Sequence, residues 1–364
     1  MDDQWSNVTH ALNHDHVSNI NPRLANGVIV VLLLLLNLAG NSLVFYVYKY
    51  LIKRNLFSFF VTTLAALDLL SAVTTMQMDA IMKMRPLDET SLSLVALCKL
   101  THFQVYANHL ISGCVLILIA YTRYTKICKP LHEGMTMRKA KITVLFLSVG
   151  CILLSTFTLV VNGPQEVQIQ MGDHVVNVTI CRYDKDYEGK PIQQVFVYIL
   201  TSAFAIVLVA TVIFYVMISR ALSRFERRSS LKSAGLHSPT VDENSDPSSA
   251  THSRPRVTLR ERISEIFTGS SGEKISIHMY KMFTIVTFVF VVSYLPHLVV
   301  LILLKVLNLD HMTLTYGQRF ALELAYNGPY LSCVLNPVIY GFRSAEFRKH
   351  CRHVLTCRNS RRSY

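Results

Sequence analysis

Arg123 lies where an apolar stretch of the chain gives way to a basic one. Residues 116–132 read LILIAYTRYTKICKPLH. A guanidinium held in hydrocarbon costs several kcal/mol, whereas at the membrane interface its stem stays apolar and its head reaches water or a partner. Cys98 lies 25 residues earlier, which is about 37 Å along a helix and matches a bilayer with its headgroups. We therefore predict one helix with Cys98 at one membrane face and Arg123 at the other.

Asp68, in the segment LAALD, is the one ionisable group deep within an apolar stretch. Asn41 is a polar residue in the preceding apolar stretch. Because both are costly in hydrocarbon, we expect them to face the interior of a helix bundle. One interpretation is that the two residues hydrogen-bond to each other and hold two helices together, and the other is that they form an ion or water site. A membrane hydrolase would need paired acids or a histidine cluster at this depth, which the sequence does not offer.

The elements that position these residues are membrane spans. Of the 364 residues, 51% are hydrophobic and 16% are charged, which is too little charge for a soluble chain of this length. Each predicted span approaches or exceeds the ~20 apolar residues that a crossing helix needs. The seven predicted spans are Gly27–Tyr48, Phe57–Met82, Val95–Ile127, Ile142–Asn162, Val195–Ile218, Met282–Leu304 and Phe320–Phe342. An internal repeat, which would indicate a transporter, is not visible.

The net charge of +13 is divided unevenly between two sets of loops, a distribution that is not typical of nucleic-acid binding. The N-terminus and the loops around 79–99, 163–191 and 305–323 carry more acids than bases, while the other loops are strongly basic. The positive-inside rule therefore places the N-terminus outside and the C-terminus in the cytoplasm. Asn7 and Asn177 begin glycosylation acceptor patterns, and both fall on the outer side. No cleavable signal sequence is visible, because the first apolar run is long enough to remain a span.

Three regions complete the predicted organisation, which is that of an all-α membrane protein. Residues 1–26 form an outer tail, residues 27–342 form the bundle with a disordered cytoplasmic loop at 220–276, and residues 343–364 form a basic amphipathic helix and a tail. Alternating apolar and polar residues around Gly172-Asp173 predict a β-hairpin in the loop before Cys181.

Histidine and cysteine residues near the C-terminus could be taken for a metal cluster. The spacing of His350, Cys351, His353 and Cys357 fits no standard zinc pattern. Cysteines beside basic residues at a membrane surface are common acylation sites, so Cys351 and Cys357 are predicted to be acylated and no such metal site is expected.

Taken together, these motifs resemble the rhodopsin-like (class A) G-protein-coupled receptors, and more closely the peptide receptors among them. The resemblance covers about residues 25–355 and lies in the order and spacing of the motifs. These are Gly40-Asn41, Leu64–Asp68, Cys98 with Cys181, Arg123-Tyr124 with Pro130-Leu131, Pro296, Asn336-Pro337 with Tyr340, and Phe347. It implies a plasma-membrane receptor with seven transmembrane helices, a short eighth helix and a hairpin in the second extracellular loop. Its partners would be an extracellular ligand, a heterotrimeric G protein, arrestin and receptor kinases.

The resemblance also implies roles for individual residues. Cys98 and Cys181 would form a disulfide. G-protein coupling would involve Arg123, Tyr124, Leu131, Tyr215 and Tyr340, with the two tyrosines meeting in the active state. The activation switches would be Phe290, Tyr294, Pro296, Asn336 and Pro337. An allosteric sodium ion, the sole cofactor expected, would be held by Asp68, Asn108, Ser112, Ser332 and Asn336.

The sequence departs from the family beside Arg123. Thr122 replaces the acid that usually precedes the arginine, and Tyr294 replaces the usual toggle tryptophan. A hydroxyl at Thr122 would give Arg123 a neutral hydrogen bond in place of a charge-assisted one, which is roughly twice as strong. We therefore expect measurable ligand-free signalling. Two prolines, Pro296 and Pro337, would kink the sixth and seventh helices; the kinks mark moving parts or are simply tolerated.

The ligand can be narrowed by elimination. Val105 stands where aminergic receptors place an aspartate, and the seventh span has no lysine for a retinal Schiff base. Charges of both signs at the predicted mouth suit a peptide or another polar ligand. The pocket candidates are Asp79, Gln104, Val105, His109, Arg182, His297 and Glu323. The alternatives are a chemosensory or lipid-sensing receptor of the same fold and, more remotely, a seven-helix transporter; an enzyme is not expected.

Overall fold

The computed structural model describes most of the chain. The described residues are 2–84, 92–129, 134–171, 174–183, 186–187, 190–233, 271–307 and 315–356. Within them, six helical segments are long and apolar enough to cross a membrane. These are Leu24–Leu51, Leu56–Met84, Val95–Cys128, Met137–Val161, Gln194–Ala221 and Met282–Val300. The predicted disordered loop, residues 220–276, is described only at its two ends, where residues 220–233 and 271–276 are helical. Residues 234–270 lie outside the described residues.

The secondary structure follows the predicted order of spans. The N-terminal half contains α1 (Asp2–Tyr46), a π-helical turn (Val47–Leu51), α2 (Leu56–Ser71), a second π-helical turn (Ala72–Met76), α3 (Gln77–Met84), α4 (Leu92–Cys128), α5 (Met137–Ser155) and α6 (Thr158–Val161). Next come β1 (Asn162–Met171), β2 (His174–Tyr183), α7 (Pro191–Ser233), α8 (Ser271–Leu307), α9 (Tyr316–Tyr326), α10 (Gly328–Arg343) and α11 (Ala345–Leu355). The second π-helical turn, inside the second span, was not predicted.

The seventh predicted span is divided into α9 and α10. Asn327 separates the two helices, and Pro329 occupies the first turn of α10, where its missing N–H costs no hydrogen bond. Pro337 does not end a helix, because α10 continues through that residue, just as α8 continues through Pro296. Each helix is shorter than a span, yet together they cover the predicted segment. With the six longer segments they complete a bundle of seven.

Two strands pair between the fourth and fifth spans. β1 and β2 are antiparallel, with Asn162 opposite Tyr183 and Met171 opposite His174. The register places Cys181 opposite Pro164. The two residues that join the strands, 172 and 173, lie outside the described residues.

The bundle is organised around α4, which packs against α2, α5, α7 and α8. Glycines allow close approach at two crossings, since a Cβ at Gly113 would meet the Val207 side chain and one at Gly328 would overlap the Ser293 carbonyl oxygen. Apolar side chains also cover the outside of the bundle: Phe146 on α5 is 79% exposed. An apolar exterior of this kind suits a lipid environment.

Candidate functional site

Arg123 lies buried at the inner end of α4, with only 7% of its surface exposed. Its guanidinium carbon is 5.4 Å from the ring centroid of Phe283 on α8, and that ring lies edge-on to Phe57 of α2 at 5.2 Å. Among the described residues no ion pair involves Arg123. The arginine is therefore held by an aromatic face that connects two other helices.

Thr122 does not bind Arg123, so the predicted neutral hydrogen bond between them is wrong. Its hydroxyl donates to the Leu118 carbonyl at 2.7 Å and approaches the Met135 sulfur at 3.6 Å. A threonine hydroxyl in a helix readily donates to the carbonyl four residues earlier, and here this local bond is made instead of a contact with the neighbouring guanidinium.

The remaining inner residues have separate contacts. Tyr215 accepts a hydrogen bond from Thr287 at 3.1 Å, whereas the Tyr340 ring lies edge-on to Tyr48 at 6.0 Å. The Tyr340 hydroxyl is buried and has no hydrogen-bond partner. The hydroxyls of Tyr215 and Tyr340 are therefore not hydrogen-bonded to each other in this structure. Tyr124 packs against Phe214, with ring centroids 5.7 Å apart. Leu131 lies outside the described residues.

A polar cluster lies around Asp68 at the middle of the bundle. Asn336 on α10 donates to its carboxylate at 2.8 Å, and Asn37 on α1 donates to its backbone carbonyl at 3.0 Å. Asn41 donates to Asn37 at 2.6 Å and to the Cys333 carbonyl at 3.0 Å. Asp68 is only 4% exposed. The carboxylate is thus bound to the seventh span by the Asn336 amide, and the Asp68 backbone is bound to the first span by Asn37. Among the described residues, the cluster contains no basic residue.

Several oxygens near Asp68 have unused hydrogen-bonding capacity. Asn108 donates to the Leu67 carbonyl at 3.0 Å, which leaves its own carbonyl oxygen without a partner. The carbonyl oxygen of Asn336 is also unpartnered, and Ser112 and Ser332 are buried. A carboxylate with surrounding amide and hydroxyl oxygens is the donor set that hard cations prefer. The residues of the predicted sodium site therefore fit such an ion.

Aromatic rings and an imidazole are buried inside the bundle, on the outer side of the Asp68 cluster. The rings of Phe290 and Tyr294 are 4.2 Å apart, and Tyr294 also faces Phe204 at 6.1 Å. His109 lies edge-on to Tyr294 at 5.3 Å and near Tyr330 at 6.4 Å. The switch candidates Phe290 and Tyr294 therefore form the floor beneath His109.

Two histidines present hydrogen-bond acceptors at this level. His109 bonds to the Val105 carbonyl, which leaves its buried Nε2 without a partner. His297, whose ring lies edge-on to Tyr326 at 5.4 Å, bonds to the Tyr326 backbone and leaves Nδ1 unpartnered. In a neutral imidazole the nitrogen that donates to a carbonyl fixes the other as an acceptor. Both free nitrogens therefore suit N–H or O–H donors.

Charged residues at the outer end are paired with one another. Lys83 contacts the carboxylates of Asp79 at 3.1 Å and Glu323 at 3.3 Å, and it donates to Asn327 at 3.0 Å. Asn26 of α1 donates to Glu323 at 3.4 Å and also hydrogen-bonds to Asn327. We call these five residues the outer cluster. One lysine shared by two carboxylates leaves the cluster with a net negative charge.

The strand pair is attached to the bundle through a disulfide. Cys98 of α4 and Cys181 of β2 are bonded, with their Cα atoms 5.6 Å apart, as the resemblance implied. His102 bonds to the Cys98 carbonyl at 3.0 Å beside this link. Of the other pocket candidates, Gln104 and Val105 are half-buried on α4. The side chain of Arg182 is outside the described part of the structure.

The predicted modification sites are described only in part. The backbones of Asn7 and Asn177 lie in α1 and β2, but their side chains are outside the described part of the structure, as is all of Cys357. Cys351 of α11 is buried, and burial raises the pKa of its thiol.

Sequence reasoning missed four buried residues near these sites, three of which carry a signal in the sequence. Asn37 lies four residues before Asn41 and so on the same helix face, which could have revealed it. Ser71 and Thr75 likewise follow Asp68 at helical spacing. Phe283 is one apolar residue among many in its span, and no signal distinguished it.

Residues 40–340 match the family described as 7 transmembrane receptor (rhodopsin family). The chain belongs to this family, and it is a multi-pass membrane receptor. Two similar proteins are the neuropeptide FF receptors 1 of Rattus norvegicus and Homo sapiens. The rat receptor is 25% identical over 327 residues, which cover 88% of this chain and 67% of the relative. The human receptor is 25% identical over 356 residues, which cover 94% and 72%, respectively.

Proposed function

We propose that this receptor binds an extracellular peptide and activates heterotrimeric G proteins at the plasma membrane. The observation that carries the proposal is the pair of fixed acceptor nitrogens on His109 and His297, placed between an aromatic floor and the outer cluster. Both relatives are named as receptors for neuropeptide FF, which supports a peptide.

A peptide suits the chemistry of this pocket. Backbone and side-chain N–H groups can donate to the two imidazoles, which favours a donor-rich ligand over a purely apolar lipid. The side chains of Asp79 and Glu323 are 19% and 31% exposed, and their carboxylates can accept further hydrogen bonds. We infer that β1 and β2 form a hairpin lid over this end, tied to α4 by the disulfide.

The proposed orientation follows from the charge distribution of the loops. The basic loops are cytoplasmic, so the N-terminus and the outer cluster face outward. α11 would lie along the inner membrane surface as an amphipathic eighth helix, with Phe347 buried against Tyr48. Arrestin and receptor kinases are further proposed partners on this inner side.

Coupling would require a movement at Arg123. Its guanidinium lies over Phe283 of α8, so an outward shift of the inner end of α8 would remove that ring and free the arginine for a G protein. Tyr215 and Tyr340, whose hydroxyls are not hydrogen-bonded to each other here, would approach each other in the same step. We also propose that sodium binds at Asp68, with oxygens from Asn108 and Asn336.

The test is a signalling assay in cells that express the receptor at a measured surface density. Neuropeptide FF, a library of synthetic peptides and a library of lipids are each applied, with readouts for several Gα classes. We expect a peptide to give a response that Arg123→Ala abolishes at matched expression. A response to lipids alone would reject the peptide assignment, and transport of a substrate without any G-protein signal would reject the receptor function.

A further inference from the structure

Two cysteines on neighbouring helices face each other inside the membrane-spanning part of the bundle. The Sγ atoms of Cys114 on α4 and Cys151 on α5 are 3.8 Å apart, although the residues are 37 positions apart in the chain. We call these two residues the thiol pair. Cys114 lies 16 residues after Cys98 and nine before Arg123, which is about 24 Å and about 14 Å along the helix. The thiol pair therefore lies within the hydrocarbon layer, away from both aqueous faces.

The two thiols differ in their exposure. Cys151 is buried in the apolar core, whereas Cys114 is half-buried. Within the described part of the chain, neither sulfur has a hydrogen-bond partner other than the opposite one. A small neutral molecule dissolved in the bilayer therefore reaches the sulfur of Cys114 more readily than that of Cys151, and the second sulfur lies directly behind the first.

Another free cysteine provides a comparison for the thiol pair. Cys333 on α10 is as deeply buried, and its thiol donates to the Pro329 carbonyl at 3.6 Å. Among the described residues, no second thiol is bonded to it. A separation of 3.8 Å is also what two packed thiols adopt, because S–H is a weak donor and sulfur a weak acceptor. Chemistry specific to the thiol pair should therefore be absent at Cys333.

We propose that the thiol pair is a modification site, at which a hydroperoxide converts the two thiols into a disulfide that joins α4 to α5. First, the Cys114 sulfur attacks a peroxide oxygen: an S–O bond forms, the O–O bond breaks, and the thiol proton passes to the leaving oxygen. Then the Cys151 sulfur attacks the sulfenic acid: an S–S bond forms, the S–O bond breaks, and the second thiol proton leaves with the hydroxyl as water. Two thiols and one hydroperoxide thus give one disulfide, one alcohol and one water, and two electrons pass from the sulfurs to the peroxide.

The surroundings favour this product over other oxidised forms of cysteine. A disulfide carries no charge, whereas a sulfinic acid adds a polar, ionisable group that is costly to bury in hydrocarbon. The two sulfurs need to approach by roughly 1.8 Å to reach the ~2.0 Å of a disulfide. An uncharged thiol is a poor nucleophile, so the first step is slow. The adjacent Cys151 sulfur makes that step productive, because it traps the sulfenic acid before further oxidation.

The first experiment detects the new bond in the wild-type receptor. Purified receptor in lipid nanodiscs is treated with cumene hydroperoxide, which partitions into the bilayer, and is then denatured in N-ethylmaleimide and digested for mass spectrometry. We expect a peptide that links Cys114 to Cys151 and disappears on reduction with dithiothreitol. Cys333 is the internal control and should remain alkylated. Absence of the linked peptide, with Cys114 oxidised no faster than Cys333, would overturn the proposal and leave a packing contact.

The second experiment assigns the two steps. In Cys151→Ser the sulfenic acid on Cys114 has no sulfur to trap it, so dimedone, which reacts with sulfenic acids, should label Cys114. In Cys114→Ser the buried Cys151 should be labelled at least fivefold less. Equal labelling of the two variants would overturn the order of the steps. The linked peptide is measured in the wild type, so a folding failure of either variant leaves the first test intact.

The third experiment measures the consequence of the bond. Because a disulfide restricts the unfolded chain, the oxidised wild-type receptor should melt several degrees higher than the reduced one. Cys151→Ser should show no such increase, and an equal increase in that variant would place the effective oxidation at another cysteine. None of the three measurements uses an agonist or a G protein. A failure here therefore leaves the proposed peptide-receptor function standing, and a failure of that function leaves the thiol pair standing.

Discussion

At the scale of single residues, the most consequential contact is that of Arg123 with Phe283. The guanidinium is buried, and among the described residues no acid is paired with it. The face of the Phe283 ring contacts its charge instead. A desolvated cation–π contact contributes about 1–2 kcal/mol. Because Phe283 belongs to α8, this energy favours the conformation in which the inner end of α8 is closed.

Phe283→Leu should therefore raise ligand-free signalling. Leucine keeps the side chain apolar but removes the π face, and a loss of about 1 kcal/mol from the closed state raises the open population about fivefold. The measurement is basal G-protein activation at matched surface expression. Phe146→Leu is the control, because that ring is largely exposed on α5 and lies beneath no cation within the part of the chain that the structure describes. Basal signalling that is equal in both variants and the wild type would show that the contact of Arg123 with Phe283 does not hold α8 closed.

Thr122→Asp should act in the opposite direction. An aspartate beside Arg123 can form the charge-assisted pair that the threonine does not, since its hydroxyl is bonded to the Leu118 carbonyl. The same basal assay should show lower ligand-free signalling than the wild type, and Phe283→Leu combined with Thr122→Asp should fall between the two. No decrease in Thr122→Asp would mean that packing of α8 alone keeps the receptor closed.

The sequence predicted the placement of single residues better than it predicted their partners: Asp68 and Arg123 are buried in the bundle, and Cys98 is bonded to Cys181. Asp68, Arg123 and Cys98 could be identified because a charge in an apolar run or a cysteine at a membrane face is conspicuous. The contact of Lys83 with Asp79 follows from their helical spacing, but its contact with Glu323 joins residues far apart in the chain. Partners of that kind depend on how helices pack, which local spacing does not encode.

At the scale of elements, the division of the seventh span depends on three consecutive residues. Asn327 ends α9, Gly328 begins α10 against the Ser293 carbonyl, and Pro329 fits the first turn. The sequence contained this signal, yet the prediction singled out the Asn336-Pro337 pair and not residues 327–329. Pro337 lies within α10, where its ring packs against Gly40 of α1. A neighbouring helix can thus accommodate a proline that sequence alone would read as a break.

Gly328→Ala should destabilise the receptor. The added Cβ would overlap the Ser293 carbonyl oxygen, so α8 and α10 must separate, and overpacking of this kind costs about 1–3 kcal/mol. The measurement is the melting temperature of purified protein together with surface expression. Gly150→Ala on α5 is the matched control, because open space surrounds that position and helix propensity favours alanine. Equal melting temperatures for the two variants would contradict the close crossing.

Acylation of the C-terminal segment should favour Cys357 over Cys351. The Cys351 thiol is buried against the bundle, and its raised pKa leaves less thiolate near neutral pH. We expect Cys357→Ser to remove most incorporation of a clickable palmitate analogue, whereas Cys351→Ser should leave most of it. Raising the pH should increase labelling in Cys357→Ser. Loss of label in Cys351→Ser alone would show that α11 releases this thiol in the membrane.

At the scale of the whole molecule, polar residues form three levels within an apolar bundle. The outer cluster joins the first, second and seventh spans, the Asp68 cluster joins the same three spans deeper down, and Arg123 contacts the sixth span at the inner end. The order of these levels was predictable, because span boundaries and helix rise fix depth. Which helices each level joins was not, since that depends on contacts between distant segments.

The Asp68 cluster, the middle of these three levels, allows a test of sodium binding that needs no agonist. A cation that binds the folded receptor and not the unfolded chain stabilises it, by about 1.4 kcal/mol at ten times its dissociation constant. We expect sodium chloride to raise the melting temperature of the purified receptor above that in potassium chloride of equal ionic strength, which keeps screening constant. Asp68→Asn should remove the difference, because the amide loses the charge that compensates the ion while it retains the shape of the side chain. A sodium effect of equal size in the mutant would place the ion elsewhere, and identical melting in the two salts for the wild type would remove sodium from the mechanism.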